Sequence, residues 1–342
     1  MATTSGTPQP SQQPLITPQA VAEDQRTPIS LGRESGGILV LLIFIAALIL
    51  ATNDFLTLTN LDNLVRQVTV FAILSIGQLF VILTGGIDLS VGSVLGLSGG
   101  VTALLLVGNT SIPIAILVGL LVGLGVGLIN GLLVSRFGLP PFIATLGMLG
   151  IARGVVLLLT GAKTIAPLPD AFSAIANGFI LGLPSLFWIL IIVTIVAAFV
   201  LGRTVFGRYV YAVGSNAESA RLSGVPVNIV LLVVYSISGL LAGFAGVLTT
   251  SRLGAGIPTA GTGYELQSIA GAVIGGASLS GAKGRVIGAV LGALIMGLLA
   301  NGGNLLGIDP FYLQIAIGLL IILAVYFDHL QGRTLTLRSR AV

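Results

Sequence analysis

The sequence predicts an all-α membrane protein with about ten transmembrane helices and both termini in the cytoplasm. Three observations predict this class: 55% of the 342 residues are hydrophobic, only 8% are charged, and the mean hydropathy is +1.09. A soluble domain carries about 25% charged residues, because water must solvate its surface. Nine of the 26 charges lie in segments 1–35 and 328–342, so the central part is poorer still in charge.

The two ends of the chain differ in composition from its centre. Segment 1–35 is rich in Ser, Thr, Pro and Gln and carries mixed charges, a composition typical of disordered chains. We expect a disordered cytoplasmic tail there, a transmembrane domain over 36–328 and a basic cytoplasmic tail over 329–342.

Ten apolar blocks follow one another, and several reach the ~20 residues that cross a hydrocarbon core of ~30 Å. The blocks cover 38–51, 64–83, 89–107, 112–134, 140–160, 180–202, 227–250, 266–282, 286–304 and 310–327. With the N terminus in the cytoplasm, 11 of the 15 Lys and Arg residues fall on the cytoplasmic side. This placement follows the positive-inside rule and supports ten spans.

The composition also excludes several kinds of chemistry. The chain has no cysteine, and its single histidine, His329, lies in the C-terminal tail. Disulfides, thiol nucleophiles, Cys-ligated metals and His-based triads are therefore excluded from the membrane domain. We expect no cofactor, no catalytic residue and no metal site. The net charge of +4 follows membrane orientation and does not indicate binding to nucleic acid.

Glycine is unusually frequent, with 48 residues, and much of it is periodic. Gly119, Gly123, Gly127 and Gly131 recur at every fourth position and form one stripe on a helix. In lipid such a stripe lets two helix backbones approach closely, so we predict tight helix packing there. Sliding of helices during transport is an alternative role for the same stripe.

Two segments share a GGxxLS pattern, 85–90 and 275–280, each near the boundary of a predicted span. Spans 2–5 and 7–10 start from opposite sides of the membrane, so a repeat relating them would be an inverted one. Inverted repeats are typical of transporters.

Segment 84–93, TGGIDLSVGS, is open to two interpretations. A double glycine ends one helix, and Asp88 or Ser90 can cap the next helix by accepting its free N–H groups. Alternatively, the break opens into a polar cavity where these side chains meet a hydroxylated solute, since irregular backbone at membrane depth needs cover by protein or water. Arg66, on predicted span 2, is the nearest basic residue in the sequence that could pair with Asp88.

Under the second interpretation, polar residues at the ends of apolar blocks or within them are candidates for a substrate path. They are Thr84, Asp88, Ser90, Ser93, Asn130, Asn301 and Asn304. Arg153 falls within predicted span 5, where facing lipid is costly, so it should point into the bundle or reach the outer interface.

The sequence resembles the membrane permeases of ribose-type ABC sugar importers. The resemblance rests on TGGIDLSVGSVLGLSG at 84–99 and on further segments at 129–154, 207–227, 268–308 and 311–328. It implies a multi-pass permease subunit in the cell membrane of a prokaryote, carrying a monosaccharide. It also implies three protein partners for a permease in the lipid bilayer: a separate ATPase, an extracytoplasmic sugar-binding protein and a second permease copy.

The longest polar stretch between spans, 203–227, is predicted to lie in the cytoplasm and to contain a short helix at about 216–222. The resemblance implies that this segment docks on the ATPase. The residues assigned to this coupling are Gly207, Asn216, Glu218, Ala220, Arg221 and Gly224. A near match to a phosphate-binding loop at 276–284 lacks the Lys-Ser/Thr pair in register, so ATP hydrolysis must occur in another chain.

An alternative function is a secondary transporter of a small polar solute coupled to protons or sodium. Such transporters usually place ionisable groups deep in the bundle, and this sequence offers essentially Asp88 and Arg153 there. An intramembrane enzyme is disfavoured, because the sequence has no metal-ligand cluster and no nucleophile–base pair.

Overall fold

The computed structural model describes residues 31–309, 311–323 and 326. The predicted C-terminal tail, 329–342, lies outside the described residues, as does 1–30 of the predicted N-terminal tail. The first helix of the described residues covers Leu31–Ala51, so the end of the predicted tail at residue 35 falls inside a helix.

The described chain is mostly helical, with one short β-hairpin. The helices are α1 (Leu31–Ala51), α2 (Leu58–Leu83), α3 (Val91–Val107), α4 (Ile112–Ser135), α5 (Pro141–Thr160), α6 (Asp170–Asn177), α7 (Ser185–Arg203), α8 (Val205–Ser215), α9 (Ala217–Leu222), α10 (Val227–Leu253), α11 (Tyr264–Ile274), α12 (Val286–Leu305) and α13 (Phe311–Leu323). The strands β1 (Phe179–Ile180) and β2 (Leu183–Pro184) pair antiparallel.

Six of the described helices are long and apolar enough to cross a membrane. They are α2, α4, α5, α7, α10 and α12. Local sequence signals set their ends: Thr57 accepts a hydrogen bond from the Asn60 N–H at the start of α2 (3.3 Å), and Gly161 and Gly254 end α5 and α10 in the left-handed conformation. The prediction of an all-α polytopic membrane protein is confirmed.

Two predicted blocks differ from the observed helices. The block 266–282 contains only α11, whose 11 residues rise about 16 Å. Two glycines end it, because Gly275 lies against the backbone of Gly288 and Gly276 has a φ of +93°. The block 180–202 begins as the β-hairpin, and its helix starts only at Ser185. Hydropathy reports the apolar character of these segments but not their backbone conformation.

Helix α10 lies at the centre of the bundle and packs against α2, α3 and α4. The contact with α4 uses the predicted glycine stripe: a Cβ atom added to Gly123 would lie 2.7 Å from the Gly243 Cα atom. Such backbone contact excludes any side chain at Gly123, so the prediction of tight packing is confirmed. The opposite faces of α4, α5 and α7 expose large aliphatic side chains, as expected for helices surrounded by lipid.

The two GGxxLS segments lie at the same end of the bundle, and residues directly beside them are hydrogen-bonded to each other. The Ala282 N–H donates to the Leu83 carbonyl at 2.9 Å, which joins the segment after α11 to the end of α2. A repeat relating spans 2–5 to 7–10 would instead match the α2–α3 junction with segment 254–263. The GGxxLS pattern therefore gives no support to the inverted repeat.

Candidate functional site

A buried hydrogen-bond network surrounds Asp88, which is 1% exposed and lies between α2 and α3. One carboxylate oxygen, Oδ1, accepts from the Ser90 N–H (2.9 Å) and from the Ser90 hydroxyl (2.6 Å). The other, Oδ2, accepts from the Ser238 hydroxyl of α10 at 2.8 Å. The Asn130 amide of α4 donates to the Ser90 oxygen at 2.9 Å. The network thus joins the α2–α3 junction to α4 and α10.

Further groups fix the backbone around Asp88. The Gln78 side-chain amide, oriented so that its nitrogen faces the Asp88 carbonyl, makes two hydrogen bonds to the Asp88 backbone, at 3.0 and 3.1 Å. The Tyr235 ring of α10 is fully buried, and its hydroxyl lies where a side chain at Gly86 would have to go. Glycine at 86 therefore lets the junction pass directly beneath α10.

This geometry decides between the two interpretations of segment 84–93 in part. Ser90 is the N-cap residue of α3 and makes no side-chain capping bond, while Asp88 bonds the N–H of Ser90 itself. Capping by the Ser90 side chain is therefore absent, while Asp88 does accept one backbone N–H at the start of α3. Asp88 is also an interhelical acceptor, and its role in a substrate path stays a prediction.

The predicted path residues fall into two places. Ser93 is buried on α3 near the network, and the Thr84 hydroxyl donates to the Val81 carbonyl (2.8 Å) where α2 ends. Asn301, on α12, instead exchanges two amide hydrogen bonds with Asn60, at 2.7 and 3.2 Å. Asn304 is exposed at the end of α12. A single chain therefore does not bring all seven residues together.

The two membrane arginines bind backbone and amide groups. Arg66 donates to the Asn177 side chain (2.6 Å) and carbonyl (3.1 Å). It lies about 25 Å along α2 from the Asp88 junction, so its expected pairing with Asp88 is wrong. Arg153 points into the bundle, which is one of the two orientations expected from the sequence. It donates to the carbonyls of Pro258 (2.7 Å) and Ala260 (3.2 Å).

The predicted coupling segment folds into α8 and α9. The Asn216 side chain caps α9 by accepting from the Ser219 N–H at 2.8 Å, and Gly224 follows the helix with a φ of +84°. Ala220 faces inward and is buried, whereas Glu218 and Arg221 are exposed and 4.0 Å apart. The predicted short helix is confirmed, with its start one residue later than expected.

Helix α8 connects α9 to the two chain segments that contain the GGxxLS pattern. Gly207, near the start of α8, packs directly on the last turn of α7. Gly214 packs against the Leu83 carbonyl, and a Cβ atom added to Gly214 would lie 2.7 Å from the Ala282 nitrogen. The Tyr211 hydroxyl also donates to the Gly284 carbonyl at 2.9 Å. A displacement of α8 would therefore push on α2 and on the segment after α11.

Sequence reasoning missed three members of these polar contacts: Gln78, Ser238 and Asn60. Two of them, Gln78 and Ser238, are polar residues inside apolar blocks, which was a usable signal, because buried polar side chains in lipid need partners. Which partner each one takes depends on helix packing, and no local pattern reveals it.

Comparison with known proteins identifies the family to which the sequence is similar. The sequence profile of a family described as "branched-chain amino acid transport system / permease component" matches residues 60–325. The ribose import permease protein RbsC of Escherichia coli (strain K12) is 42% identical over 300 residues, covering 86% of this chain and 94% of the relative. RbsC of Bacillus subtilis (strain 168) is 43% identical over 294 residues, covering 85% and 90%.

The D-allose transport system permease protein AlsC of Escherichia coli (strain K12) is 42% identical over 285 residues, covering 83% of this chain and 87% of the relative. No solved structure matches the chain significantly. The family match over 60–325 spans nearly all the apolar helices and both GGxxLS segments. The chain therefore belongs to this family of importer permease components, as a multi-pass, non-enzymatic membrane subunit of the ribose-type ABC group.

Proposed function

We propose that the chain is the membrane subunit of a monosaccharide importer and moves a ribose-type sugar that an extracytoplasmic binding protein delivers. The relatives named for ribose and allose support a monosaccharide as the substrate class. The observation that carries the proposal is the short capped helix α9, exposed and joined through α8 to the α2–α3 junction. This arrangement suits a subunit driven by a separate ATPase.

We further propose ten spans with both termini in the cytoplasm. Each predicted apolar block contains a helix, and the shorter apolar helices α3 and α13, with α1 and α11, complete the six long ones. This arrangement places α8 and α9 in the cytoplasm, where an ATPase is available. It also puts α6 and the β-hairpin at the extracytoplasmic side of the bundle.

An inverted repeat of spans 2–5 and 7–10 is part of this proposal. The lengths of α2, α3 and α4 run long, short, long, and those of α10, α11 and α12 do the same. The packing agrees: α10 packs against α4 and α3, and α2 packs against α12 and α11. Equivalent helices in the two halves thus have equivalent neighbours, which is the packing that a pseudo-twofold axis produces.

We propose that the sugar path lies between two copies of this chain. Asp88, Ser90, Ser93 and Asn130 are each at most 1% exposed, so a solute reaches them only if the junction moves. In this proposal ATP binding moves α9, and α8 carries the displacement to the α2–α3 junction. The network then opens towards a path that the second copy completes.

Reconstituted transport tests the function directly. The purified chain, its ATPase and its binding protein are placed in proteoliposomes, and uptake of labelled ribose and allose is measured. Uptake should require ATP and the binding protein and should persist when an uncoupler removes ion gradients. Uptake that needs no ATP and stops with the uncoupler would establish the ion-coupled alternative.

A further inference from the structure

The segment between α6 and α7 forms an apolar hairpin, defined here as residues 178–188, at the end of α7 that is remote from the coupling segment. Its strands pair Phe179 with Pro184 and Ile180 with Leu183. The hairpin, α6 and the first turns of α7 enclose an open groove of about 400 Å³. Its walls include Ile175, Trp188 and Ile192.

The turn of this hairpin is unusual for one that faces water. Leu181 and Gly182 have φ values of +52° and +77°, the pattern of a type I′ turn, where Asn-Gly or Asp-Gly is preferred. Leucine occupies the first position despite the unfavourable left-handed backbone, and it is 86% exposed. A large aliphatic side chain at such a tip indicates an apolar medium around it.

Several polar groups at the base of the hairpin form hydrogen bonds within the protein. The Trp188 indole N–H donates to the Ile180 carbonyl at 2.9 Å, and the Ser185 N–H donates to the Gly178 carbonyl at 2.9 Å. The Ser185 hydroxyl donates to the Ile175 carbonyl at 2.6 Å. Backbone that enters the hydrocarbon of a bilayer must form its hydrogen bonds within the protein, and these contacts meet that demand at the base of the hairpin.

The groove also continues into a surface that already faces lipid. Ile192 lines the groove and is exposed, and Ile195 and Phe199 continue the same exposed face down α7. At the base of the hairpin the Arg66 guanidinium lies 5.4 Å from the centre of the Phe179 ring. Tryptophan and other aromatic residues beside a cation are typical of the membrane–water interface.

We infer that the apolar hairpin inserts into the adjacent bilayer leaflet and that its groove holds an acyl chain of a phospholipid. The assignment to the outer leaflet rests on the proposed function, through the proposed orientation of α7. The lipid contact itself does not depend on transport. The hairpin then anchors α6 and α7 in the membrane and is not a docking surface for the binding protein.

The single tryptophan of the chain, Trp188, provides the test. The full chain is placed in nanodiscs whose phospholipids carry bromine at a shallow or at a deep position of the acyl chain, and tryptophan fluorescence is measured. We expect a loss of at least twofold with shallow bromine, a smaller loss with deep bromine, and little quenching by aqueous iodide.

Two variants sharpen the test. Leu181→Asn introduces a polar residue that suits the turn, so the hairpin keeps its fold, and it should reduce quenching by lipid and increase quenching by iodide. Leu58→Asn makes the same change at an exposed position of α2 and should leave both unchanged.

Strong quenching of the unmodified chain by iodide without quenching by brominated lipid would overturn the inference. So would quenching by neither agent, which would mean that protein covers the groove. Shielding of Trp188 from iodide on addition of the binding protein would also overturn it. Since none of these readouts uses sugar uptake, failure of the inference and failure of the proposed function are separable.

Discussion

Asp88 is the centre of a buried network because its carboxylate accepts several hydrogen bonds. Three donors from Ser90 and Ser238 point to its two oxygens, and Asn130 extends the network to a third helix. The three donors from Ser90 and Ser238 lose their acceptor if the Asp88 side chain is removed. A buried hydroxyl without a partner costs about 1–3 kcal/mol, so the network is sensitive to truncation at its centre.

Replacement of Asp88 should separate hydrogen bonding from charge. In Asp88→Asn the amide oxygen still accepts from Ser90, and the amide nitrogen can donate to the Ser238 oxygen, so we expect a loss of stability within about 1 kcal/mol. Asp88→Ala leaves two buried hydroxyls without acceptors and should cost about 2–4 kcal/mol on that scale. Sugar uptake per folded permease and thermal unfolding should both rank wild type, Asn and Ala in that order.

A matched serine pair on α10 controls this comparison. Ser238→Ala removes the donor to Asp88, whereas Ser236→Ala removes a hydroxyl that donates only to the Leu232 carbonyl of its own helix, at 2.7 Å. The first variant should lose more stability and uptake than the second. Equal effects, or an Asp88→Ala variant as stable as wild type, would contradict the role assigned to the network.

The sequence identified Asp88, Ser90 and Asn130 as important but not how they are joined. Their residue types in an apolar chain were informative, because a buried polar group must find a partner. The distance along the sequence from Asp88 to Ser238 is 150 residues. Only the packing of α10 over the α2–α3 junction brings them together, and that packing is a property of the whole bundle.

At the scale of elements, glycine decides which helices meet. Gly123 and Gly125 lie on the same helix, α4, but only Gly123 faces α10. A Cβ atom at Gly123 would meet the backbone of α10, which cannot move aside as a flexible side chain could. At Gly125 nothing lies within 4 Å of an added Cβ atom.

The two glycines give opposite expectations for the same substitution. Gly123→Ala should separate α4 from α10 and destabilise the protein by about 1–3 kcal/mol, as overpacking does. Gly125→Ala should be neutral or stabilise by up to about 1 kcal/mol, because alanine favours a helix. Thermal unfolding in one detergent compares them, and a Gly123→Ala variant as stable as Gly125→Ala would show that the contact is looser than described.

For the coupling segment, 203–227, the main expected effect of substitution is on activity. Glu218→Lys changes only an exposed side chain whose ion pair with Arg221 contributes about 0–1 kcal/mol. Gly224→Val forces a branched residue into a left-handed backbone at a cost of about 1–3 kcal/mol. Both variants should insert normally, lose at least tenfold in sugar uptake and leave ATP hydrolysis unresponsive to the permease.

Gly202→Ala is the control for these variants, since an added Cβ atom there meets nothing within 4 Å. It should transport at the wild-type rate. Normal uptake by Glu218→Lys and Gly224→Val in membranes would remove α9 as the docking element, while reduced uptake with undiminished ATPase coupling would place the defect in the sugar path.

Hydrophobic blocks and turn residues allowed most of the elements to be predicted. The helix after Asn216 followed from the cap and from Gly224, and the long blocks corresponded to long helices. The prediction failed at α11, which ends at Ile274, because Gly275 is selected by the close approach of α12. A glycine needed for tertiary contact looks the same in the sequence as one needed for flexibility.

For the whole molecule, the proposed orientation has a direct test. The chain contains no cysteine, so one introduced cysteine is a unique thiol. Leu222→Cys, at a position 82% exposed on α9, should react with a membrane-impermeant maleimide only in inside-out vesicles. Lys163→Cys, in the turn after α5, should react only in right-side-out vesicles.

Labelling of both positions from one side would mean that the number of spans between them differs from the proposal. Three segments separate them in the proposed order: α6 with the hairpin, then α7, then α8. Of these only α7 crosses the membrane. Retention of sugar uptake by each variant confirms that the labelled protein has the native arrangement.

The bond from the Ala282 N–H to the Leu83 carbonyl has a consequence for biosynthesis. If α11 crosses the bilayer, its rise of about 16 Å leaves irregular backbone at the depth of the hydrocarbon. That backbone is stable there only when protein covers it. The ribosome delivers α2 long before α11, so the partner is already in the membrane when the last helices emerge. The translocon can therefore release α11 and α12 only onto a preassembled N-terminal half, and a fragment that starts after α10 would fail to integrate by itself.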